Sequence, residues 1–206
     1  MLFRSAGLPH DTIGRMSSEE RADRLWLVRH GETEWSRDGR HTSTTDLELT
    51  DEGERVAREL APRLADQDFD LVLTSPRQRA RRTADLAGFP DAEVDADLVE
   101  WDYGQYEGLT TATIRKTVPG WTVWANPVPG GETPQQVSDR LDRVVSRVEQ
   151  VAGDVLVFGH GHALRGLTAR WLDLDVTEGR HFVLGTATLS ILGWERGSPA
   201  VERWNA

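Results

Sequence analysis

The chain has 206 residues, a formal charge of −10, no cysteine and a hydrophobic share of 38%. That length suits one domain with a substantial core. The absence of cysteine excludes disulfides, thiolate catalysis and sulfur-ligated zinc. The negative field opposes nucleic acid and anionic membranes as partners, and no window reaches the roughly 18 apolar residues needed to span a bilayer. A cytoplasmic location is expected. A small anionic substrate would need a pocket that gathers arginines against the overall charge. Lys116 is the only lysine, which a GC-rich coding bias explains as well as function does.

Residues 1–23 carry Gly7, Pro9, Gly14 and a charged SSEERADR run, without the apolar stretch of a signal peptide. They are expected to form a flexible N-terminal lead before a domain at 24–206, with Met16 a candidate start. Leu25 to Val28 then form a short apolar run that gives way to Arg29, His30 and Gly31, the pattern of a buried strand handing over to a polar loop. A histidine there can act as a nucleophile, an arginine can grip an anion and a glycine admits close approach.

Residues 36–49 read as a long polar loop, a type often functional. Thr50 caps a helix to about Ala65, with Val56, Leu60 and Leu64 inward and a kink at Pro62. Phe69–Thr74 predicts a second strand, followed by a helix with Ser75 as its cap and Pro76 in its first turn. One arginine among 77–82 can turn inward toward phosphate. Glu100–Gly108 reads as a loop leading to a helix near Leu109 or Thr110. Thr133-Pro134-Gln135-Gln136 signals a capped helix with Val137, Leu141, Val144, Val145 and Val148 on its buried face and Gly153 at its end. Val155–Phe158 predicts a third strand ending in His160, Gly161 and His162. A helix through Leu164, Leu167 and Trp171 follows, then closing strands at 183–193 and 200–204.

Strands alternating with helices predict an α/β domain of three α/β/α layers, mostly parallel with an antiparallel edge strand. In such sheets ligands collect at the carboxyl ends of strands. His30, Ser75–Arg79 and His160 all fall at such ends.

The pieces LVRHGETEW, TSPRQRARRTA, LVEWDYGQYEG, PGGET and FGHGHALR resemble the histidine phosphatase superfamily, also called phosphoglycerate-mutase-like, in its order and approximate spacing from Leu25 to Ala206. The resemblance implies that His30 is the nucleophile that becomes phosphorylated. It implies that Arg29 and Arg79 hold the phosphoryl oxygens, that His160 stabilises the same group and that Glu100 protonates the leaving oxygen. Gly31, Ser36, Thr42, Ser43, Tyr103, Gly161 and His162 fall at positions that line the pocket or its entrance. The acid must carry its proton when substrate binds and His30 must attack neutral, so a two-limbed pH profile is expected.

Where the mutases of the family have an asparagine, an arginine and a lysine, this chain has Ser36, Trp101 and Thr111, so much of the clamp for a second phosphate is missing. The resemblance is greatest to broad-specificity acid phosphatases and to the sedoheptulose-bisphosphatase branch. It implies hydrolysis of a small phosphorylated metabolite with no metal and no cofactor. A sugar bisphosphatase is the alternative, with Arg40, Arg77 or Arg115 holding a distal phosphate, and a phosphoglycerate mutase a lesser one. A metal centre on His41, His160 and His162 fits ligand spacing poorly, and His10 and His181 are taken as incidental. Tryptophans expected at the surface leave room for a homodimer.

Overall fold

The computed structural model describes residues 22–206. Most of the expected lead therefore lies outside the described residues, while Ala22 and Asp23 already belong to the first strand. In chain order the strands are β1 (Ala22–Arg29), β2 (Leu71–Thr74), β3 (Glu93–Val94), β4 (Gly153–Gly159), β5 (Leu189–Glu195) and β6 (Ser198–Arg203). They form one sheet in the order β3-β2-β4-β1-β5-β6. β1, β2, β3 and β4 run parallel, whereas β5 pairs antiparallel with both β1 and β6.

The helices are α1 (Glu34–Arg37), α2 (Asp51–Arg58), α3 (Ala61–Leu64), α4 (Gln78–Leu86), α5 (Thr111–Ile114), α6 (Pro134–Val148) and α7 (Gly161–Trp171). Two cores show that they cover both faces of the sheet. Leu25, Leu27, Val155 and Val157 pack with α6 and α7, while Trp26, Val28, Leu156 and Phe158 pack toward Leu60, Leu64, Ala84 and Ala87. Neighbouring strand residues point to opposite faces, so residues 25–28 of β1 and 155–158 of β4 are apolar at successive positions and fill both layers. This is the three-layer α/β arrangement expected from the sequence, with an antiparallel edge.

Local chemistry sets several boundaries differently from the sequence expectation. The single kinked helix from Thr50 is two helices. Pro62 lacks an N–H and its ring crowds the carbonyl of Arg58, where α2 stops. Ser75 does not cap the next helix; Arg77 does so in extended geometry and α4 starts at Gln78. The residue before a proline is pushed out of the helical region, and the Ser75 hydroxyl is engaged elsewhere. β2 begins at Leu71 rather than Phe69, whose ring instead packs edge-on against Trp26 with centroids 5.5 Å apart. β3 carries no apolar run and was not expected. Gly153 opens β4 at φ +108° instead of ending a helix.

Other expectations hold. Thr50 accepts from the Gly53 N–H, and Thr133 with Gln136 forms a full capping box at α6 with Pro134 in its first turn. The closing hairpin turns through Arg196 and Gly197, both at positive φ, as a two-residue turn between twisted strands requires. All eight tryptophans are buried or half-buried, so they supply no exposed aromatic face.

The loop after β1 and the first turn of α2 meet backbone to backbone. A Cβ on Gly53 would lie 2.2 Å from the carbonyl oxygen of Glu32, and one on Gly31 2.6 Å from that of Gly53. Neither contact can be relieved by a side-chain rotation. Gly53→Ala is therefore expected to lower the unfolding free energy by about 1–3 kcal/mol, read as an earlier urea midpoint; an unchanged midpoint would refute this close packing.

Candidate active site

The site grows from the ends of two adjacent parallel strands. Arg29 of β1 pairs in register with Gly159 of β4, so the next residues, His30 and His160, leave the sheet side by side. The His30 N–H extends the ladder to the Gly159 carbonyl at 2.9 Å. The two imidazole centroids are 5.1 Å apart and meet edge-on.

His30 has one ring nitrogen committed. Its Nδ1 lies 2.7 Å from the Gly31 carbonyl oxygen, which can only accept, so Nδ1 carries the hydrogen and Nε2 keeps its lone pair. Burial first, then the charges of Arg79 and Arg29, hold this imidazole well below the usual histidine range. It is therefore neutral and nucleophilic near pH 7. The Gly31 N–H donates to Thr83 Oγ1 at 2.9 Å, and Thr83 in turn donates to the Arg79 carbonyl.

Arg29 and Arg79 differ in what they offer. Arg29 donates through Nη1 to the Leu184 carbonyl at 2.6 Å, but among the described residues its buried Nε has no partner. Gly161 lies directly against it: a Cβ there would be in ordinary contact with the guanidinium at 3.4 Å. Arg79 is fully buried and committed: Nη1 donates to the Thr45 carbonyl, Nη2 to those of Thr42 and Ser43, and Nε to His160 Nδ1 at 3.2 Å. His160 Nε2 in turn lies 2.7 Å from Ser75 Oγ. An Arg N–H can only donate, so Nδ1 accepts and Nε2 donates. A bond from His160 to a phosphoryl oxygen thus requires one of these partners to be exchanged. Burial, Arg79 and His30 push His160 well down as well.

Glu100 faces these cations. Its Oε1 accepts from the backbone N–H of Trp101 and of Ala163 at 2.9 and 2.7 Å, and its Oε2 from that of His162 at 3.0 Å. The last two are free donors of the first turn of α7, which has no side-chain cap of its own. Beside it the Tyr103 hydroxyl and His162 Nδ1 are 2.5 Å apart. Burial pushes the phenol up and the imidazole down, leaving both neutral. His41 stands against Tyr103, its Nε2 3.1 Å from Thr111 Oγ1, and burial lowers it to about 4.

These groups surround a cavity of about 180 Å³. Of the residues expected from the sequence, Arg29, His30, Ser36, Thr42, Glu100, Tyr103, Gly161 and His162 line it. Gly31, Ser43, Arg79 and His160 stand behind that wall. Arg165, Leu184 and Gly39 also line it without having been foreseen. Arg165 lies one helical turn beyond His162, a spacing that places it on the same face; Leu184 contributes through a carbonyl that no pattern marks. Among the described residues no group of three or more potential ligands is arranged for a metal ion, and no helix is long and apolar enough to cross a membrane.

A family model for the histidine phosphatase superfamily (branch 1) matches residues 25–206. The chain belongs to the histidine phosphatase superfamily. This histidine phosphatase is 47% identical over 182 residues to an acid phosphatase of Mycobacterium tuberculosis, covering 86% of this chain and 89% of that one. It is 38% identical over 186 residues to a sedoheptulose 1,7-bisphosphatase of Saccharomyces cerevisiae, covering 74% and 69%. The solved structure of a Mycobacterium tuberculosis open reading frame product superposes with a TM-score of 0.84 at 44% identity over 88% of this chain and 96% of that one. The chain is an enzyme of the histidine phosphatase type.

His30, His41, His160 and His162 all have folded pKa values below the unfolded value of about 6.5. Their contribution to stability is complete above that pH and is lost as pH falls, through about 4 for His41 and further for the others, because the unfolded chain takes up protons that the histidine phosphatase excludes. Urea unfolding should show the free energy falling below pH 6.5, with up to about 1.4 kcal/mol per pH unit from each histidine. A flat profile from pH 7 to 5 would contradict their neutral burial.

Proposed function

We propose that this enzyme hydrolyses small phosphomonoesters by passing the phosphoryl group to Nε2 of His30 and then to water. The observation that carries this reading is the free lone pair of His30 together with the buried Nε–H of Arg29, which has no partner among the described residues, in a cavity that His30, Arg29 and Glu100 line. A buried donor without a partner is a group that an anionic oxygen satisfies.

In the first step Nε2 attacks phosphorus, the N–P bond forms and the ester P–O bond breaks. Glu100 gives its proton to the departing oxygen. In the second step water attacks the phosphohistidine, Glu100 takes a water proton, and inorganic phosphate leaves with His30 neutral again. Charge spread over the phosphoryl oxygens is met by Arg29 directly and by the fixed charge of Arg79 behind the histidines. These groups supply the positive field without a metal or cofactor.

Hydrolysis is favoured over mutase chemistry by the surroundings. Trp101 is fully buried and donates to the Glu132 carbonyl, and the Thr111 hydroxyl is engaged with His41, so neither position brings a cation to a second phosphate. One observation favours a sugar bisphosphatase as the second reading: Arg40 lines the cavity, whereas Arg77 and Arg115 do not. A cytoplasmic setting belongs to the same proposal, and the chain's lack of cysteine is compatible with it.

Two tests follow from these roles. His30→Ala should abolish release of phosphate from p-nitrophenyl phosphate in the presence of a chelator, and brief exposure of the unaltered enzyme to labelled substrate should leave an acid-labile phosphate on His30. Retained turnover in the variant would sink the reading. Glu100→Gln should slow phosphorylation of His30 by alkyl phosphates, followed in single-turnover labelling, by about 10²- to 10⁴-fold yet slow its phosphorylation by p-nitrophenyl phosphate far less, since that leaving group departs without a proton; equal losses of this first step on both would remove Glu100 as the acid.

A further inference from the structure

Arg79 is a fully buried cation that, among the described residues, has no carboxylate in hydrogen-bonding contact. Among the described residues its ion-pair neighbour is the partly exposed Asp46 at 4.0 Å. Its charge is met instead by the carbonyl oxygens of Thr42, Ser43 and Thr45. Carbonyls of a polar loop hold a guanidinium in place only if the loop itself is fixed.

The other side of that loop is held by Glu107. Both of its carboxylate oxygens accept from the Ser43 N–H at 2.9 Å, Oε2 also accepts from the Ser43 hydroxyl at 2.8 Å, and Oε1 from the Thr45 N–H at 3.0 Å. The peptide unit joining Thr42 to Ser43 therefore lies between opposite charges, its C=O toward Arg79 and its N–H toward Glu107. The dipole of that peptide is aligned with the field of both groups, so each charged group steadies the other through it.

The chain around Glu107 is built to bring it there. The His41 N–H donates to the Leu109 carbonyl and the Gly108 N–H to the His41 carbonyl, while Arg40 bridges Thr110 in antiparallel fashion. Gly108 adopts φ +75° with the Trp35 ring 3.0 Å from where a Cβ would be. A side chain at that position would be strained and crowded, so the glycine is what allows Glu107 to turn toward Ser43.

We propose that Glu107 is a positioning residue for phosphoryl transfer, acting through the 42–43 peptide to fix Arg79 against His160 and the nucleophile. This rests on the assignment of His30 as the phosphorylated residue. Glutamine in place of Glu107 has one acceptor oxygen and an N–H₂ group that opposes the Ser43 and Thr45 N–H groups. Its insertion releases the loop and with it the carbonyls that orient Arg79.

The test is Glu107→Gln with p-nitrophenyl phosphate and an alkyl phosphate as substrates. The expected result is a fall in kcat of about 10- to 100-fold, equal for the two leaving groups, with weaker competitive inhibition by inorganic phosphate. Labelling of His30 should reach the same final stoichiometry more slowly. A folded variant with unchanged rate and phosphate inhibition overturns the proposal. So does a reduced labelled fraction that turns over at the normal rate, which marks mere loss of folded protein. Should the glutamine variant fail to fold, Glu107→Asp, which keeps the charge, is expected to show a smaller loss of the same leaving-group-independent kind, and unchanged inhibition by phosphate there overturns the proposal equally. Absence of label on His30 in the unaltered enzyme counts against the phosphohistidine assignment instead, and the phosphate inhibition still decides the role of Glu107.

Discussion

The parallel pairing of β1 with β4, in a register that sets Arg29 opposite Gly159, is the constraint on which the site depends. Side chains alternate along a strand, so a slip of one residue would turn His30 or His160 to the other face and separate the imidazoles. Both strands are buried on both sides and carry unbroken apolar runs. The hydrophobic burial that stabilises the two cores therefore also fixes the distance between two catalytic-type side chains. Stability and site geometry are one arrangement at this point of the fold.

The cavity is cationic by placement, in a chain whose net charge is negative. Arg29 and Arg79 lie close enough to the two histidines to lower their proton affinity, and burial acts in the same direction. Removing water strengthens each of these interactions. The costs of burying cations are offset locally, by the Leu184 carbonyl for Arg29 and by the 42–45 loop for Arg79. Loop carbonyls neutralise part of the charge without forming the tight ion pair that would cancel it toward a phosphate.

Much of this was legible in the sequence because it depends on local patterns. The apolar runs ending in Arg29-His30 and in His160-Gly161-His162 identify buried strands with polar exits, and Thr133 to Gln136 names its own helix start. Where the outcome depended on competition between neighbours, the sequence was less clear. Pro62 divides a helix instead of bending it, and Ser75 leaves its expected cap for the His160 ring. Glu107, Thr83 and Leu184 gave no signal, since each acts through backbone groups far away in the chain and a backbone group has no sequence signature.

By itself the sequence determined the layered α/β plan, the strand ends that carry the histidines and the cast of arginines and carboxylates around them, because periodicity and motif spacing are properties of the chain read in order. Only the tertiary structure decided which nitrogen of His30 is free and that Arg29 keeps an unpartnered donor while Arg79 spends its own on the 42–45 loop. It also decided that Glu107 grips that loop from the far side. His30 is turned onto the neighbouring Gly31 carbonyl by its burial between elements, and the other outcomes turn on hydrogen-bond partners tens of residues distant; in each case the partner is settled by the packing of whole elements, which no local pattern encodes.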